Sequence, residues 1–308
     1  MEPIKNVSIL GAGALGAMYA AQFHTSGAFD VSLIATGARR ERLLADGLVV
    51  NGTSYHIPVV DPSQTASPAD LILVALKHHH LAGALVGLDS LVGEHTLFLS
   101  VMNGLDSEEM IGAAYGMEKV LYAVALGMDA VREANRITYV NAGRIVFGEA
   151  INPSLDESFS PRVRRVAEAF DRAGIAHETP PDMIRMLWWK FMINVGMNQA
   201  TAVLRASYGV MKTSPDAQAL MEALMREVIA LAEAAGVDLS EQDLANWYKV
   251  LQTMAPKGKT SMLQDVEAGR KTEVEIFGAK VVELGHQYGV PTPVNEVFTR
   301  ILRVLEGE

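Results

Sequence analysis

The chain has no cysteine. Disulfides, thiolate nucleophiles and cysteine-held zinc or iron–sulfur centres are therefore excluded. An excess of basic charge is lacking too: 26 lysines and arginines stand against 36 acids, a formal net charge of −10. A chain of that sign is not built to coat nucleic acid or an anionic membrane, and a phosphorylated ligand would need a local basic patch. Long apolar runs are also missing. The most apolar stretch, NVSILGAGALGAMYAAQF at residues 6–23, is short and interrupted by glycines, so it does not read as a membrane span. The opening MEPIKN is short and polar, unlike a signal peptide, and a soluble, cytoplasmic protein is expected. No internal repeat and no low-complexity segment is visible.

What is present is a globular composition, 49% hydrophobic and 20% charged over 308 residues, a length that suits two domains. The first half alternates strands with helices. NVSIL, DVSLIA, DLILVAL and TLFLSV read as strands, and ALGAMYAAQFHTSG and ARRERLLADG as helices. The unbroken apolar run of DLILVAL marks a sheet covered on both faces. The pattern predicts an α/β domain with a doubly wound, mostly parallel sheet. LVVNG and SYHIPVV predict a hairpin turning at NGT, and RITYV and GRIVFGE are expected to extend the main sheet. From about Pro180 strand patterns nearly vanish and helical periodicity takes over, so an all-α domain over 181–308 is expected to follow the α/β domain of 1–180.

Gly11, Ala12, Gly13, Ala14, Leu15 and Gly16 form a G-x-G-x-x-G turn directly after the first strand. Bare, that motif is weak. Its place between a strand and a helix at the start of an alternating domain makes it a dinucleotide turn: Gly11 for the tight turn, Gly13 for approach of the pyrophosphate, Gly16 for close helix packing. The helix N-terminus then offers free N–H groups to phosphate. An NAD-binding fold usually ends its second strand on an acid. Here that position is Thr36, followed by Arg39 and Arg40, which favours the 2′-phosphate of NADP.

In the helical half, WWKFMINVGMNQ spaces Lys190, Asn194 and Asn198 four residues apart, on one face of a helix among apolar residues. A lysine in that setting loses hydration and its pKa falls, which suits it to give up a proton near neutral pH. Ordinary alternatives stand beside this reading: a snorkelling lysine, and asparagines that bond neighbouring helices. In KTSMLQDVEAGRKTEVE, Ser261 with Gln264 resembles a capping box, so Ser261 is expected to cap a helix, and Glu273 follows twelve residues on. Lys77 and Asn103 fall at strand ends, where ligands sit on such sheets. His78, His79 and His80 invite a metal reading, but adjacent helical residues diverge and do not converge on one ion.

Five blocks in order, GAGALG, the LK of VALK, the NG of VMNGLDSEE, WWKFMINVGMN and SMLQDVEAGRKTEVE, resemble the ketopantoate reductase (2-dehydropantoate 2-reductase) family over nearly the whole chain. The resemblance implies a Rossmann domain followed by a helical domain, an active site in the cleft between them, NADP(H) as cofactor and a 2-keto acid as substrate. It implies Lys190 as the general acid. Asn194, Asn198 and Ser261 would hold the substrate, Asn103 would meet both substrate and cofactor, and Lys77 and Glu273 would contact the cofactor, with Glu273 also counted as catalytic. Thr36 stands where the family often carries an arginine. A reductase of another 2-keto acid, a 3-hydroxyacid dehydrogenase of similar plan and a non-catalytic NADP(H) sensor are competing readings, and the assembly is open between monomer and homodimer. The Ala/Leu/Met-rich helix near residues 217–235 is expected to be core.

Overall fold

A computed structural model describes residues 2–64, 67–154 and 158–307. The chain divides into two compact units, Met1–Met183 and Ile184–Glu308.

The first unit begins with β1 (Asn6–Leu10), α1 (Ala14–Thr25), β2 (Asp30–Ile34), α2 (Gly37–Asp46), β3 (Leu48–Val50), β4 (Thr53–Tyr55) and β5 (Val59–Val60). It continues with β6 (Ala69–Val74), α3 (His78–Leu85), β7 (Val92–Ser100), α4 (Ser107–Tyr115), β8 (Val120–Leu126), β9 (Val131–Glu133), β10 (Arg136–Thr138), β11 (Arg144–Gly148), α5 (Pro161–Ala173) and β12 (His177–Glu178). The main sheet runs β12-β11-β8-β7-β6-β1-β2-β5. It is parallel except where β11 meets β8. Along β6 the side chains alternate between two cores: Leu71 and Leu73 enter one, Ile72 and Val74 the other. That is why the strand reads as one continuous apolar run. β2 lies on one side of β1 and β6 on the other, so the direction of winding reverses at β1, and ligands of such sheets bind at the carboxyl ends of the strands flanking that reversal.

One expectation is corrected. GRIVFGE does extend the main sheet as β11, but RITYV does not. Its β10 belongs to a separate four-stranded sheet, β4-β3-β10-β9, where Arg136 and Ile137 pair in parallel with Val49 and Val50. Only Ile137 of β10 is buried, with an exposed residue on each side, so the strand has one apolar face and suits a small surface sheet. The β3–β4 hairpin turns at Asn51 and Gly52, both at positive φ, as a two-residue hairpin turn requires.

Below the sheet, Arg165 of α5 ties the chain start to β6 and β7. It is buried and donates to the Glu2 carbonyl at 2.7 Å, the His95 carbonyl at 2.8 Å and Asp70 Oδ1 at 2.8 Å. Asp70 Oδ2 in turn accepts from the Lys5 and Asn6 amides. Arg165→Ala would strand this carboxylate and two carbonyls, at a cost of about 3 kcal/mol or more. The expected result is a clear fall in the urea midpoint of the full chain; an unchanged midpoint would show that water replaces the guanidinium without loss.

The second unit is helical. α6 (Met183–Ile193) spans the division and leads into a π turn at Asn194–Asn198, then α7 (Gln199–Leu204), α8 (Tyr208–Thr213) and α9 (Pro215–Ala234). α10 (Glu241–Thr253), α11 (Ser261–Glu267), α12 (Gly278–Tyr288) and α13 (Pro293–Leu305) follow. α9 turns Met221, Leu224, Met225, Val228 and Leu231 into the core, all fully buried. Among the described residues no helix is long and apolar enough to cross a membrane.

Candidate active site

In the first unit the carboxyl ends of β1, β2, β6 and β7 gather the residues singled out from the sequence. Gly11 follows β1 at φ +106°, and a Cβ there would stand 2.6 Å from the Ala75 carbonyl oxygen. Gly16 lies inside α1, where a Cβ would come within 1.9 Å of the Gly11 oxygen. Protein packing accounts for both glycines. Gly13 is different. Its φ of −80° suits any residue, and a Cβ would meet nothing nearer than the Ala75 oxygen at 3.8 Å. None of the nearby contacts requires glycine there, and the backbone at this position has room beside it. Gly13 is the N-cap of α1, and Ala14 and Leu15 form the first turn, whose amides are free to meet phosphate. The residues fit a dinucleotide.

Lys77 is the N-cap of α3, two residues past the Ala75 carbonyl against which Gly11 packs. His78, His79 and His80 open that helix, and the His79 and His80 rings lie 4.1 Å apart. Asn103 sits in the turn after β7. That turn is tied down by a buried chain of hydroxyls: the Met102 amide donates to Ser100 Oγ at 3.3 Å, Ser100 and Ser107 hydroxyls share a 2.8 Å bond, and Ser107 donates to Glu108 Oε2 at 2.8 Å. Burial pushes the Glu108 carboxyl up to about 7. None of these three groups was singled out from the sequence, because serines and acids at the start of a helix read as ordinary capping until β7 and α4 are placed together.

Thr36 is the N-cap of α2, with no side-chain capping bond. Arg39 and Arg40, adjacent in sequence, diverge in space. Arg39 Nη2 donates to the Ala12 carbonyl at 2.6 Å and so leans on the glycine turn. Arg40 bears on Asp61 instead, helping the Ser63 hydrogen bonds to hold that carboxyl below its usual range.

In the second unit Lys190 lies in the last turn of α6. Burial lowers its pKa from 10.5 to about 8, and among the described residues no carboxylate pairs with it. Trp188 packs edge-on against Phe191 beside it. Asn194 and Asn198 are both buried, but the spacing of four does not place them on a regular α-helical face. They bound the π turn, which is wider than an α turn. Side chains satisfy carbonyls that the π turn loosens: Gln199 Nε2 donates to Val195 O at 3.0 Å and Thr201 Oγ1 to Met197 O at 2.7 Å. Gly196 lets α9 close on the turn, since a Cβ would lie 2.5 Å from Met225 Cγ. Such π turns are frequent at functional sites.

Ser261 is not the helix cap expected of it. Thr260 caps α11, its hydroxyl accepting from the Leu263 amide, and Ser261 is the first helical residue and exposed. The frame moves by one residue because the Thr260 hydroxyl is also held by Thr201 Oγ1 at 2.7 Å. That bond sets the start of α11 against α7, just beyond Asn198. Glu273 is buried past the end of α11, before a short 3-10 turn, and so lies on a different element from Ser261.

A family model described as ketopantoate reductase PanE/ApbA matches residues 7–152, and its C-terminal counterpart matches residues 182–306. The chain belongs to the ketopantoate reductase family. Among its relatives is the 2-dehydropantoate 2-reductase of Aquifex aeolicus, 27% identical, with 97% of this chain and 96% of that one aligned. A solved 2-dehydropantoate 2-reductase from Geobacter metallireducens superposes with a TM-score of 0.85 at 27% identity, over 97% and 99% of the two chains. A D-mandelate dehydrogenase solved with NADH and anilino(oxo)acetate shares the fold, with a TM-score of 0.87 at 21% identity over 98% of each chain.

Proposed function

We propose that this protein reduces 2-dehydropantoate to pantoate with NADPH, the reduction that feeds pantothenate and coenzyme A synthesis. Family membership over both units supports the reaction, and the lowered pKa of Lys190 carries its chemistry. The cofactor supplies a hydride when bound. Gly11, Ala12, Gly13, Ala14, Leu15 and Gly16 would hold its pyrophosphate, with Thr36, Arg39, Arg40, Lys77, Asn103 and Glu273 as further cofactor contacts.

Reduction of a ketone builds negative charge on its oxygen. The Lys190 ammonium stabilises that charge and releases its proton to the new hydroxyl. At a pKa of about 8 it is mostly protonated at pH 7 yet a stronger acid than an ordinary lysine. Asn194 and Asn198 have amides suited to the substrate's hydroxyl, Ser261 has a hydroxyl suited to its carboxylate, and Asn103 is proposed to contact it too. Fixing both ends of the keto acid holds its carbonyl carbon in place for attack. Glu273 is proposed to assist catalysis from its buried position. The protein is proposed to act in the cytoplasm. An exposed apolar stripe on α13, at Val297, Ile301, Val304 and Leu305, favours a homodimer.

The deciding experiment follows absorbance at 340 nm with ketopantoate and either NADPH or NADH. Rapid loss with NADPH and little with NADH is the expected result. Efficient use of NADH would overturn the cofactor assignment, and no loss with either would overturn ketopantoate as substrate.

A further inference from the structure

A pair of buried threonines joins two elements that carry proposed substrate residues. Thr201 lies in α7, directly after the π turn that Asn194 and Asn198 bound. Thr260 caps α11, whose first residue is Ser261. Their hydroxyls share a 2.7 Å bond between positions 59 residues apart in sequence. Thr201 Oγ1 also donates to the Met197 carbonyl at 2.7 Å, with the Asn198 carbonyl at 3.2 Å as a second acceptor. A threonine has one hydroxyl hydrogen. That of Thr201 goes to these carbonyls, so in the shared bond Thr260 donates and Thr201 accepts. Thr260 in turn accepts from the Leu263 amide at 3.2 Å. A directed chain of hydrogen bonds therefore runs from the first turn of α11, through both hydroxyls, into the π turn. Leu263, Thr260, Thr201 and Met197 are all buried, so no group along it can shift to water without loss.

The π turn gives this chain a fixed end. Gln199 Nε2 bonds both the Val195 carbonyl at 3.0 Å and Asn295 Oδ1 of α13 at 2.8 Å. Asn295 Nδ2 donates to Glu227 Oε2 of α9 at 2.7 Å, and Glu227 also accepts from the Val294 and Asn295 amides. α9 and α13 thus hold the turn from which Thr201 starts. At the far end, a helix cap needs only an oxygen that accepts. The further bond from Thr260 to Thr201 adds nothing to capping; it fixes where the cap sits. Ser261, exposed at the next position, takes its place from that cap.

We propose that Thr201 is a positioning residue for the keto acid: through Thr260 it sets Ser261 at a fixed place relative to Asn198, and so fixes the span over which the substrate is gripped. The inference rests on the assignment of Asn198 and Ser261 to the substrate above. Thr201 is fully buried and acts on the substrate only through Ser261.

Steady-state kinetics of the full chain with ketopantoate and NADPH test it. Thr201→Val keeps the shape and removes the hydroxyl. It should raise KM for ketopantoate about tenfold, the loss expected when one buried hydrogen bond is broken, and change kcat by less than about threefold. Thr201→Ser restores the hydroxyl and should bring KM back to within about twofold of the unsubstituted protein. In a Ser261→Ala background, Thr201→Val should raise KM by less than about twofold further, because the group it places is already gone. A merely structural threonine would lower the urea midpoint and leave KM alone, or would raise KM equally in both backgrounds; either result would overturn the role of Thr201. Thr260→Val breaks the same bond from the side of α11 and carries the test if Thr201→Val does not fold. Unchanged KM in an active Thr201→Val protein overturns this inference alone, whereas an unsubstituted protein that does not turn over ketopantoate would overturn the reading beneath it and the inference with it.

Discussion

Lys190→Ala should lower turnover of the keto acid by about two to four orders of magnitude while NADPH still binds. The lysine lies on the helical unit, and the glycine turn that would hold the pyrophosphate belongs to the other unit, so affinity for the cofactor is not expected to follow the loss of rate. The pH dependence is the sharper test. Reduction uses the ammonium form, so the rate constant should be level below about pH 8 and fall as pH rises through the Lys190 pKa. An ordinary lysine would hold that plateau to about pH 10.5. In the oxidative direction the neutral amine is the base, and the same group should make the rate rise through about pH 8. Lys190→Arg retains a cation that cannot release its proton in this range, so it should lose the limb at pH 8 along with most of the rate. Undiminished turnover in the alanine variant, or a limb that survives in the arginine variant, would remove Lys190 from the chemistry.

Two glycines of one turn should fail in different ways when each becomes alanine. Gly16→Ala places a methyl 1.9 Å from the Gly11 oxygen and 3.2 Å from Ala75 Cβ. Backbone has to move, and the expected cost is about 3 kcal/mol or more, with dinucleotide binding lost as the turn opens. Gly13→Ala has room for its methyl, and its φ of −80° needs no glycine. Its stability should change by less than about 1 kcal/mol, while affinity for NADPH drops at least about tenfold because the methyl occupies the approach to the pyrophosphate. Thermal unfolding and fluorescence titration of both variants separate the effects. A Gly13→Ala protein that binds NADPH normally would show that no phosphate passes over that backbone.

The main sheet was legible because its central strands are buried on both faces, and an unbroken apolar run such as DLILVAL must be covered on both sides to escape water. RITYV misled for the opposite reason. Taken singly it has strand character, but which sheet it joins depends on β3 having a free edge, and no local pattern carries that. The spacing of Lys190, Asn194 and Asn198 was visible, yet the π turn was not, because its support comes from Gln199 and Thr201 bonding back to loosened carbonyls. The cap of α11 was misplaced by one residue. Ser261 and Thr260 are both competent caps, and the Thr201 hydroxyl decides for Thr260 from another helix.

By itself the sequence determined what local chemistry can dictate: glycines where a strand turns into a helix, apolar runs that must be covered, and a lysine set among aromatic residues. The tertiary structure alone decided which neighbours those residues meet. It separated Arg39 from Arg40: Arg39 bonds back to the glycine turn, while the charge of Arg40 bears on Asp61. The physical reason is range. Backbone preference and hydrophobic period act over a few residues, whereas charge and hydrogen bonding act through space and are set only when the sheet has been wound.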